Sequence, residues 1–268
     1  MINIALLGAG RIGAMHARCV AAPPRAGLSA VYDARADAAL LASPTATHCD
    51  HIELAAAGKP ALCEKPPDLD IARISPGWSN AGKNWRRSSA AAPSCSSAST
   101  AVLTPIMPNW RRARPAGETD HHQPRPVTAG GALVAPDICA RCDDVDTAMV
   151  ILRAASGALC HINCSRRAAY GYDQRVEAFG AHGMLLSDNR AATAVTRHGA
   201  DGARRGPLPH FFIERYAESY RRQLDAFVAA VENRRPAAPS FEDGRRALLL
   251  ANAAEKALRR GQWAEVEF

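Results

Sequence analysis

Six residues near the start of the chain, Gly8-Ala9-Gly10-Arg11-Ile12-Gly13, have the types and the spacing to hold a phosphate group. Gly8 permits a tight turn, Gly10 lets the backbone approach a pyrophosphate, and Gly13 lets a helix pack closely on a strand. Free N–H groups at the start of the helix that follows face the anion. G-x-G-x-x-G has this meaning only between a buried strand and a helix. Here it follows the apolar run Ile2–Leu7 and precedes the helix-compatible Ala14-Met15-His16-Ala17-Arg18. A second strand, predicted over Leu28–Tyr32, ends in Asp33, twenty residues after Gly13. A carboxylate there accepts hydrogen bonds from the adenosine ribose and repels a 2′-phosphate, which favours NAD over NADP. Arg35, two residues on, works against that preference.

The elements that must carry these residues are incomplete. The next strand-like piece after Asp33 is Ala39–Ala42, only five residues away. A crossover between parallel strands takes a dozen residues or more, usually a helix. The spacing therefore predicts a truncated Rossmann domain, with no right-handed helical crossover between Asp33 and Ala39. A regular unit then resumes. Ser43-Pro44-Thr45-Ala46-Thr47-His48 leads into a helix over Cys49–Ala57, Gly58 caps it, and a strand Ala61–Cys63 ends in Glu64-Lys65-Pro66.

Composition bounds the rest. A chain of 268 residues buries a real core in one or two domains. It has no run of eighteen or more apolar residues to span a membrane, and its first residues read as a core strand, not a leader. Eight cysteines without a framework fit a reducing cytoplasm. Cys139, Cys142, Cys160, His161 and Cys164 are too irregularly spaced for a zinc site, and no metal is expected. The net charge is +7, but residues 71–131 hold eight Arg and Lys against Glu118 and Asp120. The basic character belongs to that one segment, and no nucleic-acid partner is expected.

Gly-Ala-Gly-Arg-Ile-Gly, Ala42-Ser-Pro-Thr-x-Thr-His48 and Cys63-Glu-Lys-Pro66, followed by Asp68-Leu69-Asp70, resemble the Gfo/Idh/MocA oxidoreductases. The likeness is greatest to the inositol-oxidising members. It implies hydride transfer to NAD from a secondary hydroxyl of inositol or a related cyclic polyol. It also adds Ser43, Pro44, Thr45, His48, Glu64 and Lys65 to Gly8, Gly10, Arg11, Ile12, Gly13 and Asp33 as cofactor-binding residues. Lys65 has a catalytic role on this likeness, its ammonium standing beside the nicotinamide and the substrate hydroxyl to stabilise oxyanion charge. Pro66 fixes the turn that aims it.

Residues 71–131 show neither period 2 nor period 3.6. Back-translated and shifted in frame, Cys95–Trp110 and Asp120–Ala129 each resemble stretches of the family. The segment is therefore read as out of frame, between an incomplete NAD-binding domain at 1–70 and an incomplete C-terminal α/β domain at 132–268. The latter is expected to be α+β with an antiparallel open sheet, the surface through which the family implies a homo-oligomer. Asp146–Arg153 and Leu159–Arg167 alternate as a hairpin, followed by strands Val176–Gly180 and Met184–Ser187. Tyr172 is the second catalytic candidate, and it or Tyr170 offers a hydroxyl to a polyol; both also suit half-buried sheet positions. Two helices close the chain, Phe211–Asn233 and one opening at Ser240-Phe241-Glu242-Asp243 with Leu248–Leu250 on its buried face.

Oxidation of an alcohol needs a base for the hydroxyl proton. The resemblance assigns this to an Asp and a His on one helix, and no stretch of this chain matches it. His121 and His122 are accidental on the frame argument, and His16 is read as structural. Two functions compete: an NAD-dependent polyol oxidoreductase, and a degenerate, inactive product of a damaged gene that shows no oxidation of myo-inositol.

Overall fold

A computed structural model describes residues 1–22, 24–30, 36–55, 59–74, 94–95, 124–132, 145–166, 168–235, 239 and 241–267. The chain divides into two compact units, one of residues 1–105 and 216–248, the other of 106–215 and 249–268.

The first unit is built on a parallel sheet. Strands β1 (Ile2–Leu7), β2 (Ala26–Ala30), β3 (Ala38–Leu41), β4 (Ala61–Cys63) and β5 (Ser94–Cys95) lie in the order β2-β1-β3-β4-β5. Every pairing between neighbours is parallel. Parallel strands covered on both faces read as continuous apolar runs, and β3 is buried at all four positions. Helix α1 (Arg11–Ala21) returns from β1 with Gly13, Met15, His16, Cys19 and Val20 buried, the i, i+3, i+4 stripe of an amphipathic helix. Helix α2 (His48–Ala55) contributes Cys49 and Ile52 to a core shared with Ala39, Leu41, Ala61, Cys63 and Ile74.

Residues 31–37 lie between β2 and β3, and of these 31–35, with Asp33 and Arg35, are outside the described residues. Residues 36 and 37 are not helical. His121 and His122, Cys139 and Cys142, and most of 71–131 also lie outside the described residues.

The second unit is antiparallel. Strands β6 (Pro124–Ala132), β7 (Thr147–Ala154) and β8 (Leu159–Ser165) form one sheet. Strands β9 (Val176–Gly180) and β10 (Gly183–Ser187) form a second, and β11 (Thr196–Gly199) and β12 (Gly202–Arg205) a third. The expected open antiparallel sheet is thus divided among three described sheets. Cys160, His161 and Cys164 lie on β8, and no group of three His, Cys, Asp or Glu residues suited to a metal occurs among the described residues.

Two sequence expectations are corrected here. Pro124–Ala132 is a nine-residue strand inside the stretch read as irregular. Its order comes from backbone pairing with β7 along most of its length, not from an apolar alternation of its own. Its prolines fit an edge strand: Pro124 opens it and Pro126 sits where the register shifts. The helix predicted over Phe211–Asn233 is two helices, α3 (Phe212–Arg215) and α4 (Ala217–Glu232), separated by Tyr216 at φ −111° and ψ 11°. Phe212, Tyr216, Tyr220, Leu224 and Phe227/Val228 stand near helical spacing in the sequence; all are buried except Phe212, which is partly buried. Helix α5 (Phe241–Arg260) follows, with Leu248 against the first-unit core and Leu249 and Leu250 beside Leu152 and Val266. No described helix is long and apolar enough to cross a membrane.

Candidate functional site

Because β1, β3 and β4 run parallel as neighbours, the residues that follow them emerge at one edge of the sheet. Gly8–Gly13 follows β1, Ser43–Thr47 follows β3 and Glu64–Pro66 follows β4. The chain moves from β1 outward to β2 on one side and returns to β3 on the other. This is a topological switch point, where open parallel sheets bind ligands beyond the carboxyl ends of their strands.

Gly8 has φ +106°, and a Cβ there would lie 2.4 Å from the Ala42 carbonyl oxygen. The loop after β1 is pressed against the end of β3, and no side chain fits between them. At Gly13 a Cβ would lie 1.9 Å from the Gly8 carbonyl oxygen, so helix and loop are in direct backbone contact. Gly10 differs: a Cβ there meets nothing within 4 Å. Protein packing does not demand a glycine at that place, whereas backbone contact with a pyrophosphate does. Gly10 also caps α1 without any side-chain hydrogen bond, and the first turn holds no acidic residue. The positive end of the helix dipole is left for an anion. These residues fit a dinucleotide; Arg11 is exposed and Ile12 partly buried at the helix start.

The loop after β3 is a hydrogen-bonded turn. Ser43 Oγ lies 2.8 Å from His51 Nδ1 and takes a hydrogen bond from Thr47 Oγ1 at 3.2 Å. Pro44 is exposed and Thr45 begins a 3-10 turn over Thr45–Thr47. His48 is 1 % exposed, with Nε2 2.8 Å from the Ser43 carbonyl oxygen and Nδ1 2.8 Å from that of Pro66. A motif histidine named from the sequence as cofactor-binding thus has both ring nitrogens turned to the backbone.

Glu64 extends β4 by donating its N–H to the Leu41 carbonyl at 2.9 Å. One carboxylate oxygen lies 2.7 Å from Nε2 of His16, which is also 1 % exposed. The other accepts the Lys65 N–H at 3.4 Å. Lys65 is exposed between these contacts, and the Lys65–Pro66 peptide is cis. Beneath the turn, Asp68 accepts the N–H groups of Leu69 and Asp70 and faces Arg73 Nη1 at 3.1 Å. Burial, reinforced by Asp68, pushes the Cys49 thiol up to about 12, so it stays protonated and inert.

Tyr172 belongs to the second unit, where it is half-buried and donates its N–H to the Pro209 carbonyl at 2.9 Å. A knot centred on Asp173 adjoins it. Arg175 donates through Nε at 3.0 Å and Nη2 at 2.9 Å, Tyr170 through its hydroxyl at 2.6 Å, and Asn189 through its amide. The Arg175 hydrogen bonds hold the Asp173 carboxyl down at about 2, against the opposing effect of burial. The Tyr170 hydroxyl is therefore committed to Asp173. Nothing in the sequence links His16 to Glu64, which stand 48 residues apart.

The model of the oxidoreductase family, C-terminal alpha/beta domain (Gfo/Idh/MocA), matches residues 96–266, beginning within the segment read as irregular. An inositol 2-dehydrogenase of Rhizobium meliloti is 32 % identical over 319 aligned positions, covering 96 % of this chain and 97 % of the relative. A myo-inositol 2-dehydrogenase of Thermotoga maritima is 43 % identical over 141 residues, 53 % of this chain and 42 % of its own length. Among solved structures, a probable dehydrogenase from Thermotoga maritima aligns with a TM-score of 0.85 at 28 % identity, covering 99 % of both chains. A putative myo-inositol dehydrogenase from Sinorhizobium meliloti aligns with a TM-score of 0.80 at 29 % identity, covering 100 % of both.

Proposed function

Because the chain belongs to the Gfo/Idh/MocA oxidoreductase family, we propose that it is an NAD-dependent oxidoreductase acting on a secondary hydroxyl of inositol or a related cyclic polyol. The observation that carries this reading is the gathering of the Gly8–Gly13 loop and the Lys65 turn at one carboxyl edge of the parallel sheet. The substrate class rests on the inositol dehydrogenases among the relatives. Cys19, Cys49, Cys63, Cys160 and Cys164 are in no disulfide among the described residues, which suits a cytoplasmic protein.

Gly8, Gly10, Arg11, Ile12 and Gly13 hold the pyrophosphate, Asp33 the adenosine ribose, and the Ser43–Thr45 loop flanks the cofactor on the other side of the switch point. NAD bound there would supply the hydride acceptor for the carbinol carbon, and the hydroxyl proton would pass to solvent water as the ketone forms. The Lys65 ammonium stabilises the negative charge that develops on the oxygen. The C-terminal sheet joins copies of the chain into a homo-oligomer.

A second reading, the degenerate and inactive product, keeps two specific supports: no stretch matches the Asp and His that the resemblance assigns, and the Rhizobium alignment is longer than the 268-residue chain. Calorimetric titration with NAD and NADH formation at 340 nm with millimolar myo-inositol, on wild type and Lys65→Ala, separate the two. The proposed function expects NAD binding and turnover that Lys65→Ala reduces ~10²-fold or more. Binding without turnover in the wild type would leave the second reading standing.

A further inference from the structure

We infer that two buried histidines, His16 and His48, are positioning residues that brace the Glu64-Lys65-Pro66 turn from either side and so hold the Lys65 ammonium at the cofactor edge. This rests on the proposed role of Lys65, while the brace itself is a matter of geometry within the first unit. His16 acts through the Glu64 carboxylate at 2.7 Å. His48 stands between two backbone acceptors, with Nδ1 2.8 Å from the Pro66 carbonyl oxygen and Nε2 2.8 Å from that of Ser43. Lys65 is the one residue between the two anchored positions, and it alone of the three is exposed.

The chemistry of each contact is specific. A carboxylate only accepts, so His16 must present an N–H at Nε2. Nδ1 of the same ring is buried without a partner, and the neutral tautomer leaves there a bare lone pair instead of an unpaired N–H. The Tyr220 ring meets His16 edge-on, with centroids 5.5 Å apart, and fixes its plane. Because His16 lies on α1, the Glu64 contact ties the helix that begins at the glycine loop to the strand end that carries Lys65. His48 faces an acceptor at each nitrogen, so both contacts are hydrogen bonds only when both nitrogens carry a hydrogen. An amide side chain has a single donor nitrogen and cannot bridge the two carbonyls in the same way.

The test compares His16→Leu, His16→Gln and His48→Leu with wild type. Gln restores a donor near the Nε2 position, whereas Leu removes it. Loss of a buried hydrogen bond to a charged group corresponds to ~10–100-fold in a local opening equilibrium. Amide hydrogen exchange at residues 61–65 should therefore rise ~10-fold or more in His16→Leu and His48→Leu, with β1 still protected. His16→Gln should exchange like wild type. In turnover, both Leu variants should lower kcat ~10–100-fold with KM for the polyol within about threefold, as a misplaced catalytic group predicts. Unchanged exchange at 61–65, or no rescue by His16→Gln, overturns the brace. If wild type shows no turnover, the proposed function fails, and the exchange measurement still decides the inference. Uniform loss of protection that includes β1 would mark the histidines as general core residues and also overturn it.

Discussion

The three glycines of the Gly8–Gly13 loop do different work, and substitution should separate them. At Gly8 an alanine meets both a φ of +106° and a backbone oxygen at 2.4 Å. Strain of that kind costs about 1–3 kcal/mol before the clash is counted. Gly8→Ala should therefore lower the melting temperature by several degrees with or without cofactor. At Gly10 a methyl group has open space and an ordinary φ of −70°. Gly10→Ala should melt like wild type yet bind NAD ~10-fold or more weakly, since the methyl group occupies the approach of the pyrophosphate. The two readings come from one thermal-shift series with and without NAD. Equal NAD affinity for Gly10→Ala and wild type would count against a phosphate at that loop. The motif was legible in the sequence because its meaning is local: spacing and flanking elements suffice. The His16–Glu64 contact was not, because a pairing across 48 residues depends on which strands become neighbours.

At the scale of elements, strands and helices with their own apolar period were readable. Ile2–Leu7 and Ala61–Cys63 match their strands residue for residue. Pro124–Ala132 was not, since its order is imposed by a partner strand. Nor was the break at Tyr216, because the apolar stripe runs through it. The end of α4 carries a further cost invisible to pattern: Arg234 sits at φ +49°, with its N–H bonded to the Val231 carbonyl and that of Arg235 to the Ala230 carbonyl. This is the left-handed position that closes a helix and favours glycine. Arg234→Gly should raise stability by about 1 kcal/mol in urea unfolding. The Asp173 knot fixes the segment around Tyr172 and has a pH signature. Its folded value, about 2, lies below the ordinary carboxylate value, about 3.9. A depressed carboxyl stabilises fully above its unfolded value and loses that contribution as pH falls through the folded one. The knot should therefore weaken between about pH 4 and pH 2. Asp173→Asn should lack that component in acid unfolding followed by near-ultraviolet circular dichroism, while already being less stable at pH 7.

At the scale of the whole molecule, the strands of the second unit carry several exposed large apolar side chains. The side of β7 facing away from α5 carries Met149 and Ile151, each more than two-fifths exposed, and Leu159 on β8 is 70 % exposed. On the β9–β10 hairpin, Phe179 pairs directly across from Met184, and Phe179 is 85 % exposed. Leu186, also exposed, is two residues along from Met184 and so on the same side of the hairpin. The opposite face of β7 packs inward, Val150 and Leu152 lying against Leu249, Leu250 and Ala253. Contiguous exposed apolar side chains of this kind mark surfaces that associate. A homo-oligomer built on the C-terminal sheets would bury them, and symmetric pairing of one patch with its own copy is the commonest way to do so. Light scattering should give a mass at least twice the 28.5 kDa of one chain. Phe179→Lys with Met184→Lys should shift it toward a single chain, because each charge would have to be desolvated at the contact. The parallel sheet of the first unit contains neither residue, so NAD binding should survive the change. A monomeric wild type, or a double variant that keeps the full oligomeric mass, would remove the C-terminal sheets from the interface.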